Sequence, residues 1–340
     1  MAGVRRYLFW ISYDGSRFPE MAKGGTGFGV MDFFGQVLRN SFVGIGERLK
    51  TSAASRTDRG VHAIRNAIVV QVPLEYGHID ERKSNLLYEL NTTIDRCCPN
   101  SLKILDFHSV SLVSVIDLLF EFFFAYLIKT VSPINDPSSF YKFRRYKYRI
   151  CVTHHSDAWS RFNKQPSLIH FAERNYSWIL PPGFDIYRAR EACCSFEGTH
   201  NMASFLKHPE REKRHEKEFP STIKSILHCD LNGGEPRSFY DSEFDFFDIS
   251  VVSRSFLREQ VRRMIGVIIG QAYGLYGEHM IEWLLKNPDP KNFYARRLRI
   301  APPQGLFLED LVYDDRMFSN PIPYHTHGWD AESDSPDQTS

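Results

Sequence analysis

Within this 340-residue chain, side chains able to do chemistry are most concentrated in Ser55-Arg56-Thr57-Asp58-Arg59-Gly60-Val61-His62-Ala63. A carboxylate bracketed by two guanidinium groups is held toward its ionised, acceptor-only form. That is the state a nucleophilic or anionic catalytic Asp needs. The same Arg-Asp-Arg turn also reads as a surface ion-pair motif. A second concentration runs from Phe140 to Arg149, where Lys142, Arg144, Arg145, Lys147 and Arg149 occur without an acid, interleaved with Tyr146 and Tyr148. A third is the run Arg258, Arg262 and Arg263, which taken alone reads as surface charge.

Other chemistries find less support. The cluster Gly24-Gly25-Thr26-Gly27-Phe28-Gly29 lacks the Lys-Ser/Thr of a phosphate loop and the acid of a dinucleotide fold, so it reads as a flexible loop. Six cysteines include no CxxC and no His at zinc-ligand spacing, so no metal is expected. They read as buried thiols in a reducing compartment, hence an intracellular protein of mitochondrion, cytoplasm or nucleus.

The elements that must position these residues follow from hydrophobic period. Tyr7 to Ile11 reads as a first strand entering the turn Tyr13-Asp14-Gly15-Ser16, rather than as a secretory signal. Val30, Phe33, Phe34, Val37 and Leu38 have helical spacing, as do Leu86, Leu87 and Leu90. Ala67 to Val72 reads as a buried strand after a polar loop Ser55 to Asn66, and Leu102 to Phe107 as another. In the strand from Phe140, Tyr146, Tyr148 and Ile150 face one way, and Arg145, Lys147 and Arg149 the other. Phe247, Ile249 and Val251 alternate as a strand before a helix over 256–273 with an apolar i, i+4 stripe, and 185–196 is also helical. Lys207 to Lys217 reads as a solvated loop. This order predicts an α+β fold of two related α/β lobes, with a mainly antiparallel sheet flanked by helices.

With 42% hydrophobic and 14% aromatic residues the chain has enough apolar surface for a core, which excludes disorder throughout and fibrous structure. The net charge of +1 hides an uneven distribution. Residues 1–111 carry 14 basic against 11 acidic side chains and 140–318 carry 27 against 23, whereas 319–340 has four acids and no Lys or Arg. A mildly basic body with an acidic tail is compatible with a polyanionic partner. The domain expectation is an N-terminal lobe 1–111, an anomalous apolar segment 112–139, a C-terminal lobe 140–318 and a disordered tail 319–340.

Arg56-Thr57-Asp58-x-Gly60-Val61-His62-Ala63 closely resembles the signature of the TruA family of tRNA pseudouridine synthases. Further likenesses follow in chain order: Tyr13-Asp14-Gly15-Ser16, Leu90-Asn91, Arg145-Tyr146-Lys147-Tyr148, Gly198-Thr199-His200-Asn201 through Phe205, Gln260 through Gly266, and Ala301 to Leu308. The chain looks closest to the eukaryotic tRNA pseudouridine synthase-like branch. The resemblance implies a pseudouridine synthase fold around a central RNA-binding cleft. It also implies isomerisation of uridine to pseudouridine in tRNA with no cofactor or metal, and a homodimer.

Carried over residue by residue, the resemblance makes Asp58 the nucleophile, Arg262 its ion-pair partner, and Tyr146 the ring that stacks on the flipped base and assists proton transfer. Tyr146 also reads simply as a core aromatic, the reading preferred for Tyr148. Arg56 is expected to enter the duplex or to fill the space the base vacates. Arg59, Arg145, Lys147 and Arg149 are expected to contact phosphates, with Lys142 and Arg144 further candidates. His62 and His200 are expected to hydrogen-bond structurally.

Two places depart from the family pattern. Pro19-Glu20-Met21 stands where Gly-Trp-Gln is usual, and the apolar run Leu112 to Ile128 stands near where a Phe-His-Ala-Arg segment belongs. That run reads as a mis-joined exon or a lineage-specific insertion. A membrane anchor is disfavoured, because Asp117 and Glu121 are embedded in only 17 residues, and no membrane partner is expected. The rival to the enzyme is a weak or inactive RNA-binding protein on the same fold.

Overall fold

The computed structural model describes residues 4–21, 26–76, 78–110, 141–207, 221–237 and 243–313. The apolar segment 112–139, the tail 319–340 and most of the loop expected over 207–217 lie outside them. Among the described residues no helix is long and apolar enough to cross a membrane.

The chain opens with β1 (Val4–Tyr13), which pairs with a strand along each edge and whose residues Tyr7 to Ile11 are buried on both faces of the sheet. Helix α1 (Val30–Ser41) turns Val30, Met31, Phe34, Val37 and Leu38 inward, and its start is capped by Asp32, which accepts the Gly29 N–H at 3.1 Å. Next come β2 (Lys50–Ala53), β3 (His62–Pro73), α2 (Lys83–Cys97) and β4 (Leu102–Ser109). The second half begins with β5 (Tyr141–Thr153), α3 (Ser156–Lys164), α4 (Phe171–Arg174), β6 (Trp178–Leu180), α5 (Ile186–Cys194) and β7 (Gly198–Asn201). It ends with β8 (Ile223–Gly233), β9 (Phe244–Ser253), α6 (Gln260–Ala272), α7 (Met280–Lys286), α8 (Asn292–Ala295) and β10 (Leu306–Tyr313).

The ten strands among the described residues form one mixed, mainly antiparallel sheet in the order β4-β1-β3-β10-β5-β9-β8-β7, with β2 on β3 and β6 on β5. The fold is α+β. In the sheet, β10 joins the early strands to the later ones, parallel to β3 and antiparallel to β5. Leu308 pairs with Ala63 on one side and Tyr146 on the other. At about 4.8 Å per strand, this rung sets Tyr146 two strands from the residues that follow the Asp58 loop.

Helix α6 departs from the amphipathic expectation, since of its 13 residues only Arg262 is not buried. It packs against α5, and Gly266 admits the incoming segment before β10, because a Cβ there would lie 2.0 Å from Arg299 O. The polar stretch before Ala67 is likewise not all loop, for β3 begins at His62. Its inner polar side chains are satisfied within the fold: Asn66 Nδ2 donates to Ser55 O at 3.0 Å and to Tyr13 Oη at 3.2 Å, and Arg65 lies 3.9 Å over the Trp10 ring. The cysteines are all free thiols, of which Cys151, Cys193 and Cys229 are buried, while Cys97 and Cys194 are exposed against expectation.

Candidate active site

The loop carrying Asp58 is held from beneath. Tyr13 Oη meets Thr57 Oγ1 at 2.8 Å, and Val61 N donates to Asp58 O at 3.1 Å, closing a tight turn. The turn after β1 presses against the same loop, since a Cβ on Gly15 would lie 2.1 Å from Val61 O. Arg56 and Arg59 are exposed, while Asp58 keeps only a quarter of its side chain accessible. The two arginines that bracket Asp58 in sequence therefore turn outward.

Arg262 is the cation that faces Asp58, with Nη1 lying 3.9 Å from Oδ2. Its Nε donates to Ala301 O at 2.8 Å, and Ala301 N donates back to Arg262 O at 3.0 Å, so the backbone before β10 fixes the guanidinium. At 3.9 Å the pair is electrostatic rather than a tight hydrogen bond. Burial pushes the Asp58 carboxyl above the ordinary aspartate value, opposed by Arg262, Arg258 and Lys207 and reinforced by Glu259. The lowered value expected from flanking arginines is thus reversed, because desolvation outweighs charges that point into water.

Tyr146 is 6% exposed and stands edge-on to Phe256, ring centroids 5.3 Å apart at 86°. It lies near enough to Tyr13 to oppose the ionisation of that phenol, and Tyr13 in turn meets Thr57 of the Asp58 loop. Tyr148, one turn of the pleat further, is fully buried and donates its hydroxyl to Pro302 O at 2.8 Å.

The expected phosphate contacts on the opposite face of β5 need correction. Arg149 is buried and gives Glu173 a bidentate pair, Nε to Oε2 at 2.7 Å and Nη2 to Oε1 at 2.6 Å, while Nη1 lies 3.4 Å from Asp248 Oδ1. Lys147 Nζ lies 2.8 Å from Glu309 Oε1. Arg145 is 5% exposed and sits across from Asp310, whose carboxyl is pushed up by burial and pulled down by Arg65 and Arg145. The strand looked acid-free because its acids come from α4, β9 and β10, far away in sequence.

Arg258, Arg262 and Arg263 also separate. Arg258 is exposed, and Arg263 is completely buried against Phe293 and Tyr294, with Nη2 3.1 Å from Glu259 Oε2 and 2.7 Å from Tyr294 Oη. Glu259, which sequence reasoning missed, precedes α6 with φ of 60°, in the left-handed region, and also faces Lys207 Nζ at 3.4 Å. Nothing local in the sequence marks it, since its partners come from elsewhere in the chain.

His62 is buried, with Nδ1 3.1 Å from Asp14 Oδ1 and 3.1 Å from Gly15 N, and Nε2 3.2 Å from Asn175 O. Tyr176 donates to Asp14 Oδ2 at 2.8 Å. Burial alone would raise the Asp14 carboxyl, but hydrogen bonds involving His62, Ser16 and Tyr176 hold it well below the usual carboxylate range. His200 Nε2 lies 2.8 Å from Glu197 O. Both histidines thus engage local structure rather than Asp58.

The site combines a largely buried carboxylate on a loop, a guanidinium fixed on a helix and an aromatic ring on β5, an arrangement suited to nucleophilic attack beside a flat ring. A family model for tRNA pseudouridine synthase matches residues 192–314, the span containing Arg262 and β10. Curated relatives extend across the Asp58 loop as well. The chain is 28% identical to tRNA pseudouridine synthase-like 1 of Xenopus laevis over 315 residues, covering 91% of each protein. It is 25% identical to the Homo sapiens protein of the same name over 323 residues, covering 91% of this chain and 90% of the relative. With tRNA pseudouridine synthase A of Thermus thermophilus it shares 26% identity over 318 residues, covering 93% of this chain and all of the relative.

Proposed function

We propose, from the premise that the chain belongs to the TruA family of tRNA pseudouridine synthases, that it isomerises uridine to pseudouridine in tRNA with Asp58 as nucleophile. The carrying observation is the convergence of Asp58, Arg262 and Tyr146, from three distant parts of the chain, around β10. In the reaction the bond from ribose C1′ to N1 of the base breaks, the base turns, and C1′ bonds to C5. The C5 hydrogen is lost and N1 gains a proton, so product and substrate are isomers and no redox partner is required. Asp58 supplies the anion that takes up the detached fragment. Arg262 offsets part of the burial that disfavours that anion. Tyr146 offers a face to a base drawn out of its stack, a contact worth about 1–3 kcal/mol in other nucleic-acid complexes. Arg56 and Arg59, exposed beside Asp58, belong to the RNA-facing surface of the same proposal. A homodimer is part of it too, and light scattering of the purified chain tests that part.

Asp58→Asn keeps the shape of the side chain and removes the nucleophilic anion. Pseudouridine formation in tRNA, mapped by chemical probing, is expected to disappear while tRNA affinity stays within about twofold. Normal modification by the Asn variant would end the assignment of Asp58. A wild-type chain that binds tRNA but forms no pseudouridine would instead support the RNA-binding alternative.

A further inference from the structure

The reaction as proposed uses Asp58, Arg262 and Tyr146, and it leaves unused a line of polar groups that lies under the Asp58 loop. Asn66, at 0% exposed, begins the line. Its Oδ1 accepts the Ala67 N–H at 2.8 Å, and its Nδ2 donates to Ser55 O at 3.0 Å and to Tyr13 Oη at 3.2 Å. Turning the amide over would set its oxygen against the Ser55 carbonyl and its hydrogens against the Ala67 N–H, so the backbone fixes which end faces Tyr13. Both amide hydrogens are thereby engaged.

The direction of the next link follows. Tyr13 is 4% exposed, and its hydroxyl accepts from Asn66 and meets Thr57 Oγ1 at 2.8 Å. Among the described residues no other group is hydrogen-bonded to that hydroxyl. If Thr57 were the donor, the phenol hydrogen would be buried without an acceptor, which costs more than one hydrogen bond returns. Tyr13 therefore donates to Thr57, and the Thr57 hydroxyl is left with its own hydrogen to give. Among the described residues nothing takes it. Thr57 is half-buried and immediately precedes Asp58, and the Tyr13 phenol that it meets lies within electrostatic reach of Tyr146.

We propose that the Thr57 hydroxyl touches the substrate as a preset donor to an oxygen of the nucleotide that Asp58 attacks, and that Tyr13 and Asn66 are positioning residues that aim it. A hydroxyl ordinarily turns to give or to accept. Here the donors behind it leave only the outward direction for its hydrogen. A threonine side chain is also stiff at χ1, so little freedom is lost when the nucleotide arrives. The acceptor is a uracil carbonyl oxygen or the ribose 2′-oxygen, and the contact adds no charge to the pocket. This inference rests on the reading of the chain as an RNA-modifying enzyme, and it gives the loop a second ligand group beside the nucleophile.

Thr57→Val keeps the shape of the side chain and removes the donor. With the full chain and tRNA, Kd is expected to rise roughly fivefold. The slope of log Kd against log salt is expected to stay unchanged, because a hydroxyl displaces no counterion. Thr57→Ser is expected to restore most of the affinity. Tyr13→Phe keeps the ring but no longer aims the Thr57 hydrogen, so Kd rises about threefold, and the double variant binds no worse than Thr57→Val alone. Urea midpoints of each variant keep losses of stability apart from losses of binding. Penalties that multiply in the double variant, a Ser variant that restores nothing, or a Val variant with wild-type Kd would each overturn the contact. Repeating the Thr57→Val comparison on tRNA with 2′-deoxyuridine at the modified position locates the acceptor: a penalty that vanishes assigns the ribose oxygen, and one that persists assigns a uracil carbonyl. Measuring pseudouridine formation by the wild type in the same series separates the two claims. A silent wild type whose Kd depends on Thr57 in this non-additive way would sink the isomerase reading and leave the contact standing, whereas an active wild type indifferent to Thr57 would do the reverse.

Discussion

At Asp58 the surrounding charges come from α6 and the segments leading to it: Arg262 lies on the helix, Glu259 and Arg258 stand just before it, and Lys207 follows β7. Glu259 is the one anion of this set. Burial acts to raise its carboxyl, but Arg263, Lys207 and Arg262 hold it below its ordinary value, so it stays charged beside Asp58. Its charge therefore disfavours the anionic Asp58 that the proposed attack requires. Replacing it by Gln removes that repulsion and leaves Lys207 and Arg263 unneutralised, and both changes favour the Asp58 anion. Glu259→Gln is thus expected to move the acidic limb of kcat/KM toward lower pH, read from rates measured across pH 4 to about 8. A limb displaced upward, or not at all, would remove Glu259 from the control of Asp58. The motif singles out Asp58 as a candidate, but its electrostatics were not legible there. The direction of its shift depends on burial, and the neighbours that decide it are some 150 to 200 residues away in sequence.

The turn after β1, the start of β3 and the segment after α4 meet in the contacts among Asp14, His62 and Tyr176. Burial and the hydrogen bond to Asp14 in turn push the Tyr176 hydroxyl up to about 12, so it remains a donor throughout the physiological range. Because the folded Asp14 carboxyl lies below its unfolded value, the stability it contributes is fully present above about pH 5. It is lost progressively as pH falls below about 4 toward the folded value. Asp14→Asn is accordingly expected to destabilise the fold by about 1–3 kcal/mol at pH 7, with the difference from wild type shrinking between pH 5 and 3. Urea unfolding midpoints at pH 7, 5 and 3 check this, and a constant difference would mean that Asp14 acts through shape alone. Elements with a clean period, such as α1, α2, β4 and β9, could be read from the sequence. Strand β8 could not, because a register shift between Ile226 and His228 breaks its alternation and leaves Leu227 exposed. Strand β3 was shortened by reading Arg65 and Asn66 as loop, when Trp10, Tyr13 and Ser55 give them partners inside the fold.

Across the whole molecule, the sheet order separates two things that the sequence runs together. The α+β class could be inferred from alternating strands and helices, but the crossing of β10 between β3 and β5 could not, since Ala301 to Leu308 carries no local sign of its neighbours. The parallel contact of β10 with β3 is short, resting on the pairs Phe307 with His62 and Leu308 with Ala63, while its antiparallel seam with β5 runs from Leu306 to Tyr313. A chain ending after Gly305 leaves the facing edges of β3 and β5 without their partner strand. It is expected to be mostly insoluble, and any soluble fraction to lack pseudouridine formation, as fractionation and the tRNA assay would show; a soluble, active truncation would mean that α6 alone aligns Asp58 with Tyr146. The position of β10 also bears on biosynthesis. Asp58 and Tyr146 leave the ribosome long before the strand that fills the gap between β3 and β5, so a nascent chain carries both groups without the frame that relates them. Only after residues 306–313 have emerged and zipped into the gap are the groups of the proposed site framed, so a translation product abandoned before them is expected to be silent.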